Sequence, residues 1–409
     1  MVKNINGGVC AAKGFKANGV NAGIKNNVKK DMALIYSEAP CKAAGTFTTN
    51  KVKAAPVKWD QRLVRESECV HAVVINSGIA NACTGDEGYE CCRIMSERTA
   101  GNLGISEDSV LVASTGVIGK QLPMDVIGTG IDALCSGGAG GSEAHARLAA
   151  EAIMTTDTKS KQAAVRVEID GSEVTVGGMC KGSGMIHPNM CTMLCFITTD
   201  CAISKELLQK ALSASIEDTF NMISVDGDTS TNDTVLLLAN GLAGNKEITV
   251  EDGNYEKFRE ALYYVCEELS KMIAGDGEGC TCLFEVRVEG AVSKNDARTL
   301  AKSVVMSSLT KAAIYGHDAN WGRILCAMGY SGAEFDPEKV DIYFESRAGR
   351  LKIVENGMAA DYSEEKATEI LSEEHVIAVC DCKQGEYAAA AYGCDLTHEY
   401  VNINADYRS

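Results

Sequence analysis

No apolar run in this chain approaches the roughly 20 residues that a membrane-spanning helix needs. No two cysteines form a CxxC pair, and no Cys/His cluster has zinc-ligand spacing, so no metal is expected. HExxH, a Walker A loop and a GxSxG elbow are all missing, which excludes zincin, P-loop and α/β-hydrolase chemistry. The six histidines are scattered and support no Ser-His-Asp arrangement. No 20–50-residue repeat is visible. Met1-Val-Lys-Asn-Ile-Asn-Gly-Gly8 lacks the apolar core of a signal peptide, so the cytoplasm is the expected compartment. Positive charge is short: 39 Lys and Arg face 56 Asp and Glu, a net charge of −17. That balance disfavours nucleic acid and anionic membranes as partners. It places no limit on a small charged substrate, which feels only its own pocket.

The 409 residues, 45% hydrophobic and 23% charged, suit a globular protein of two or three layered lobes. Eighteen cysteines are many. Several sit in apolar runs (Cys195, Cys266, Cys326) and read as reduced thiols acting as small hydrophobes. His71–Asn76 and Leu111–Ser114 read as buried strands, the second ending at Thr115-Gly116. Residues 130–142 read as a surface loop and Glu143–Met154 as a helix. Alternating valines over 163–177, turned at Asp170-Gly171, predict a hairpin. Helices are expected after Ser204, over Tyr255–Ile273, over Asp296–Tyr315 behind an Asn295 cap, and over Glu364–Leu371. Strands are expected at Cys282–Val288, Val340–Phe344, Leu351–Val354 and Val376–Val379. Hairpins outnumber strand–helix–strand units, which favours an α+β fold of mixed sheets and helices over a doubly wound parallel sheet.

The most informative stretch is Lys181-Gly-Ser-Gly-Met-Ile-His-Pro-Asn-Met-Cys-Thr192, where a glycine run leads into an apolar segment over Met190–Thr198. Thr192 carries a hydroxyl toward a buried strand. It either bonds to the backbone or serves as a nucleophile, and a threonine freed at its α-amine can supply its own base. Gly275-Asp-Gly-Glu-Gly279 lacks GxGxxG spacing and follows a helix rather than a strand, so a dinucleotide site is excluded. Asp226–Asp233 lacks the glycine and the final glutamate of a calcium loop and reads as a tight polar turn.

Asn76-Ser-Gly, Ala80-Asn-Ala-Cys-Thr-Gly85, Ser114-Thr-Gly-Val-Ile-Gly119, Ile153-Met-Thr-Thr-Asp-Thr158 and Lys181-Gly-Ser-Gly-Met185 occur in order. Ser224–Thr234, Gly275–Gly279, Gly316-His-Asp-Ala-Asn-Trp-Gly-Arg323 and Asn404–Ser409 follow. Together they resemble the self-cleaving ornithine acetyltransferase family of arginine biosynthesis, over nearly the whole chain. The resemblance implies a layered α/β sandwich of N-terminal-nucleophile type with a further C-terminal lobe. It implies cleavage between Cys191 and Thr192 into an α fragment, residues 1–191, and a β fragment, residues 192–409, assembled as an α2β2 heterotetramer. Thr192 would take the acetyl group from N-acetylornithine and pass it to glutamate, with ping-pong kinetics. No cofactor is implied; in some members acetyl-CoA is a second acetyl donor.

By the same resemblance, Thr115 (hydroxyl) and Gly116 (N–H) form the oxyanion hole, although alone they read as a strand-ending turn. Thr155, Lys181, Thr192, Glu278, Asn404 and Ser409 match substrate-binding positions. Lys181 suits a carboxylate and Glu278 an amine; each alone would be a solvated loop charge, and the C-terminal pair a frayed tail. Asp226, Asp228, Asn320 and Arg323 are expected to hold turns around the site. The chain departs from the family pattern at Cys191 (usually Ala), His187 (usually Ala), Ile79 (usually Asn) and Cys280-Thr-Cys282 (usually Ala-Thr-Lys). Two other readings stand beside this one. One is an aminopeptidase or amidohydrolase of related fold with water as acceptor; the other is an uncleaved, non-catalytic relative.

Overall fold

The computed structural model describes residues 2–25, 28–187 and 193–406. The chain divides into two compact units. The first comprises the described residues of Met1–Gly182, Pro188–Glu217 and Thr229–Leu269; the second comprises Ser183–His187, Asp218–Asp228 and the chain from Ser270 onward. Both mix strands with helices, the α+β class expected.

A nine-stranded sheet organises the first unit. Its strands run Lys3–Asn4, Lys161–Ile169, Ser172–Lys181, Leu194–Thr199, Thr234–Ala239, Met32–Phe47, Val70–Ile79 and Val110–Val117, with Phe15–Val20 paired to Met32–Phe47 off that path. Ala72-Val-Val-Ile75 is wholly buried, the signature of a strand covered on both faces. The hairpin pairs Lys161–Ile169 with Ser172–Lys181 and turns at Asp170 (φ 51°) and Gly171 (φ 74°), both left-handed as a two-residue hairpin turn requires.

Two expectations are corrected. Residues 130–136 belong not to a loop but to the helix Met124–Ser136, whose Ile127, Ile131 and Leu134 are buried at helical spacing. Gly130 concealed it, being there because a Cβ would lie 2.4 Å from Met32 Sδ. The expected 296–315 helix is two, Lys294–Met306 and Ser308–Tyr315. Ser293, not Asn295, caps the first, accepting from Asp296 N–H; Ser307 ends it and caps the second, accepting from Thr310 N–H.

In the second unit a seven-stranded sheet runs Met358–Ala359, Gly349–Glu355, Asp341–Ser346, His375–Asp381, Leu283–Ala291, Tyr387–Cys394 and Ile223–Ser224. Phe284, Val286 and Val288 alternate into a core shared with Leu300, Val304 and Val305 of the Lys294–Met306 helix. Described cysteines are free thiols. Cys195 and Cys266 are buried as expected, but Cys326 is exposed on the Trp321–Gly329 helix. Among the described residues no helix is long and apolar enough to cross a membrane, and no group of His, Cys, Asp or Glu could hold a metal ion.

The compact units do not follow the expected fragment boundary. Leu194–Thr199 and Thr234–Ala239, from the β fragment, lie between Ser172–Lys181 and Met32–Phe47 of the α fragment. All six residues of Leu194–Thr199 are buried. Residues on the two sides of the expected cleavage point thus share one sheet and one core.

Candidate active site

The site residues fall into three groups. The first lies where Val70–Ile79 and Val110–Val117 run parallel, with Ser77 beside Thr115 and Gly78 beside Gly116. Thr115-Gly116 is inside the strand rather than the turn after it, and the register breaks at Ile79. Gly116 has φ +130°, which L side chains rarely adopt, and a Cβ there would sit 2.2 Å from Gly78 C. Only glycine lets these backbones approach so closely. Buried amides pin the segment. Asn76 Nδ2 donates to Ile79 O (2.9 Å), Ser114 Oγ donates to Asn76 Oδ1 (2.7 Å), and Asn232 Nδ2 donates to Ala80 O (2.6 Å) and Ser114 O (2.8 Å). Such satisfied networks fix one backbone geometry. Asn76 and Asn232 therefore hold the backbone beside Thr115-Gly116, a role the sequence signalled only by their place in motifs.

The second group surrounds Asp157, buried in the same unit. Its Oδ1 accepts from Lys161 Nζ and from Gly182 N–H, both at 2.7 Å, and its Oδ2 accepts from Thr155 N–H (3.0 Å). Lys181 Nζ stands 3.8 Å from Asp157 Oδ2 and donates to Thr155 Oγ1 at 2.8 Å. Burial alone would raise the Asp157 carboxyl; Lys181, Lys161 and its hydrogen bonds override that and hold it well below the usual carboxylate range. Lys181 is 8% exposed, so the solvated-charge reading fails. Thr155 and Lys181 meet through a carboxylate that the sequence placed in a motif but gave no role.

The third group lies in the second unit. Glu278 is 6% exposed, and its N–H donates to Ser183 O at 3.0 Å. A Cβ on Gly184 would lie 2.3 Å from Glu278 Cδ, so the glycine run makes room for this carboxylate. Asn404 Nδ2 donates to Glu278 Oε2 at 2.8 Å. Asn404 lies on the helix His398–Ala405, capped by Thr397, whose hydroxyl donates to Gly279 O at 2.7 Å. A Cβ on Gly279 would lie 2.8 Å from Tyr400 N. Gly275–Gly279 is thus the seat of the C-terminal helix, and the tail through Asn404 is folded back rather than frayed. Burial, then Asp226 and Glu278, push the Tyr400 phenol up.

Asp226 accepts from the N–H groups of Met185 (2.6 Å), Ile186 (2.8 Å) and Asp228 (3.2 Å), the turn-holding role expected. Arg323 Nη1 donates to Leu309 O, and Asn320 Nδ2 to Asp318 Oδ2. His187 is half-buried with Nδ1 3.2 Å from Ser224 Oγ. Burial and then Lys302 lower its pKa to about 4. Ile79 is buried in the core of the first unit. Cys282 is buried, and Cys280 shares a hydrogen bond with Cys394, whose Sγ lies 3.7 Å from buried Lys311 Nζ. A cation therefore remains near this segment although the family's lysine is replaced. Cys191, Thr192 and Ser409 lie outside the described residues.

The model of the ArgJ family matches residues 16–409. The arginine biosynthesis bifunctional protein ArgJ 1 of Clostridium acetobutylicum is 55% identical, over 97% of this chain and 96% of that one. ArgJ of Thermotoga neapolitana is 51% identical, over 97% and 99%. A crystal structure of the Bacillus halodurans protein of that name is 47% identical with a TM-score of 0.50, covering 52% of this chain and 99% of the solved one.

Proposed function

The chain belongs to the ArgJ family of arginine-biosynthesis acyltransferases, and we propose from that premise that it moves an acetyl group from N-acetylornithine to glutamate through acetyl-Thr192. The observation that carries this reading is the match of residues 16–409 to the family, with every site motif in order.

Cleavage between Cys191 and Thr192 frees the Thr192 amine, which takes the proton of its own hydroxyl. The oxygen attacks the acetyl carbonyl, and the resulting oxyanion meets the Thr115 hydroxyl and the Gly116 N–H. Collapse expels the ornithine amine with a proton and leaves the acetyl ester. The glutamate amine then attacks the ester and regenerates Thr192. Lys181 and Thr155 bind the substrate carboxylate, while Glu278, steadied by Asn404, binds an amine. Ser409 completes the site from the tail. The buried cationic group around Asp157 and the buried carboxylate of Glu278 support this division of labour.

The Bacillus halodurans chain, matched over 99% of its length yet spanning half of this one, supports a cleaved state. We place the enzyme in the cytoplasm as an α2β2 heterotetramer, with acetyl-CoA as a second candidate donor. Intact-mass analysis followed by assays with N-acetylornithine plus glutamate, then acetyl-CoA plus glutamate, tests the reading. Two fragments and transferred acetyl are expected. One 43.4 kDa species without activity overturns it, as does free acetate released without glutamate. Thr192→Ala should abolish cleavage and transfer together.

A further inference from the structure

Two sulfurs meet beside Glu278, at a point where this chain departs from the family pattern. Cys280 stands two residues after Glu278, where the pattern has alanine, and is half-buried. Cys394 ends the Tyr387–Cys394 strand, pairs with Leu283 and is 2% exposed. The two side chains share a hydrogen bond. Neighbouring groups hold them together. Asp395, next to Cys394, accepts from Thr281 N–H (2.8 Å), Cys282 N–H (3.3 Å) and the Thr281 hydroxyl (2.6 Å). Cys280 N–H donates to Gly277 O at 2.9 Å, and Cys280 Sγ lies 3.5 Å from Gly275 O. A Cβ on Gly277 would lie 2.7 Å from Cys394 Sγ, so the turn that carries Glu278 has a glycine where the sulfur needs space. The pair thus joins the Gly275–Gly279 turn to a strand of the seven-stranded sheet.

The surroundings of Cys394 set it apart from other buried thiols. Burial pushes the Cys10, Cys41 and Cys201 thiols up to about 12, which keeps them protonated and inert. Cys394 is as deeply buried but moves the other way. The hydrogen bond from Cys280 lowers it first, and the Lys311 charge adds to that, against burial and the Asp395 charge. Lys311 is itself 3% exposed and donates from Nζ to Cys394 Sγ at 3.7 Å. The same hydrogen bond, then burial, pushes Cys280 up, so the proton between the sulfurs rests on Cys280. A sulfur with thiolate character, backed by an ammonium and touching a half-exposed thiol, is the arrangement from which a disulfide forms.

We propose that Cys280 and Cys394 form an oxidation site, closing to a disulfide under hydrogen peroxide and thereby displacing Glu278. The effect on Glu278 rests on the acetyltransferase reading, in which that carboxylate binds the substrate amine; the bond itself does not. Cys280 Sγ, the more accessible sulfur, bonds to one peroxide oxygen as the O–O bond breaks, giving a sulfenic acid. The other oxygen leaves as hydroxide, and the Cys280 proton passes to Cys394. Cys394 Sγ then attacks the sulfenic sulfur. The S–S bond forms, the S–O bond breaks, and the hydroxyl leaves as water with that proton. Two electrons pass from the sulfurs to the peroxide. Bonding draws the sulfurs to about 2.05 Å, closer than any hydrogen-bonded separation. The turn must follow, and with it Glu278 and the Gly279 seat of the C-terminal helix.

The test treats the wild type, Cys280→Ala and Cys282→Ala with hydrogen peroxide, blocks remaining thiols with iodoacetamide and maps linked peptides by mass spectrometry. KM and kcat for N-acetylornithine are measured before treatment, after it, and after dithiothreitol. The wild type and Cys282→Ala should yield a peptide pair joining Cys280 to Cys394. Their KM should rise about tenfold with kcat within about threefold, and dithiothreitol should reverse both changes. Cys280→Ala, which carries the family's usual residue, should show neither the link nor the rise. If that variant fails to fold, the wild-type map still decides. Absence of a Cys280–Cys394 link overturns the proposal, as does an equal rise of KM in Cys280→Ala. A link that leaves KM unchanged overturns the coupling to Glu278. A wild type that forms the link but transfers no acetyl before treatment fails the parent reading instead.

Discussion

The Asp157 group and the Glu278 group bury charge in opposite ways. Around Asp157, two lysines and two backbone N–H groups converge on one carboxylate, all carried by the Lys161–Lys181 hairpin and the residues that flank it. Around Glu278, one carboxylate is held by one amide from the last helix and by glycines that make space. The first is a preformed ionic cluster whose members need each other. The second is a buried carboxylate with a neutral amide as its hydrogen-bonding neighbour. Removing one member should therefore cost stability at the first and mainly binding at the second.

Asp157→Asn should produce the largest effect. It removes the carboxylate that Lys161 and Lys181 both face, a loss of about 3–5 kcal/mol on the scale of broken buried pairs. Denaturant unfolding would measure it, and a loss below about 1 kcal/mol would show that the cluster is not mutually dependent. The depressed Asp157 carboxyl also sets a direction with pH. Its contribution is full above the unfolded value near 4 and is lost as pH falls toward its lower folded value, so the variant should lack that part of the acid limb.

Deleting residues 398–409 should come next. Among the described residues the nine-stranded sheet takes nothing from this segment, so cleavage should persist while kcat/KM falls about a hundredfold, through loss of Asn404 and Ser409. An active truncated enzyme would make the docked tail ornamental. Glu278→Gln should raise the KM for N-acetylornithine about tenfold with stability changed by less than about 1 kcal/mol. An unchanged KM would remove Glu278 from amine binding.

His187→Gln should have the smallest effect. With its folded pKa near 4 and an ordinary value of 6.5, His187 makes the native state lose stability as pH falls from about 6.5 to 4, because the unfolded chain takes the proton first. The variant's melting temperature should drop less between pH 7 and 5, by about 2 °C. Equal drops would show that the imidazole is not held neutral.

Local pattern made much of the fold legible. The Asp170-Gly171 hairpin, the Leu283–Ala291 alternation and the Glu364–Leu371 helix follow from turn chemistry and period within a few residues. The misreadings have local causes as well. Gly130 resembles a loop glycine but allows close packing in the Met124–Ser136 helix, and Ser307 splits one apolar periodicity into two helices. The site was legible as a set of motifs but not as a geometry. Lys181 and Glu278, which alone suggest solvated charges, are buried because partners 26 and 126 residues away reach them.

The sequence by itself determined the class of chemistry. The motifs that run in order from Asn76-Ser-Gly to Asn404–Ser409 carry the acetyltransferase reading through their resemblance to the family. Only the tertiary structure decided which charges are buried and paired, that Gly116 must be glycine against Gly78, and that Gly279 seats the C-terminal helix. The physical reason is that burial and electrostatic surplus depend on which distant segments share a core. Chain-local propensity does not contain that information.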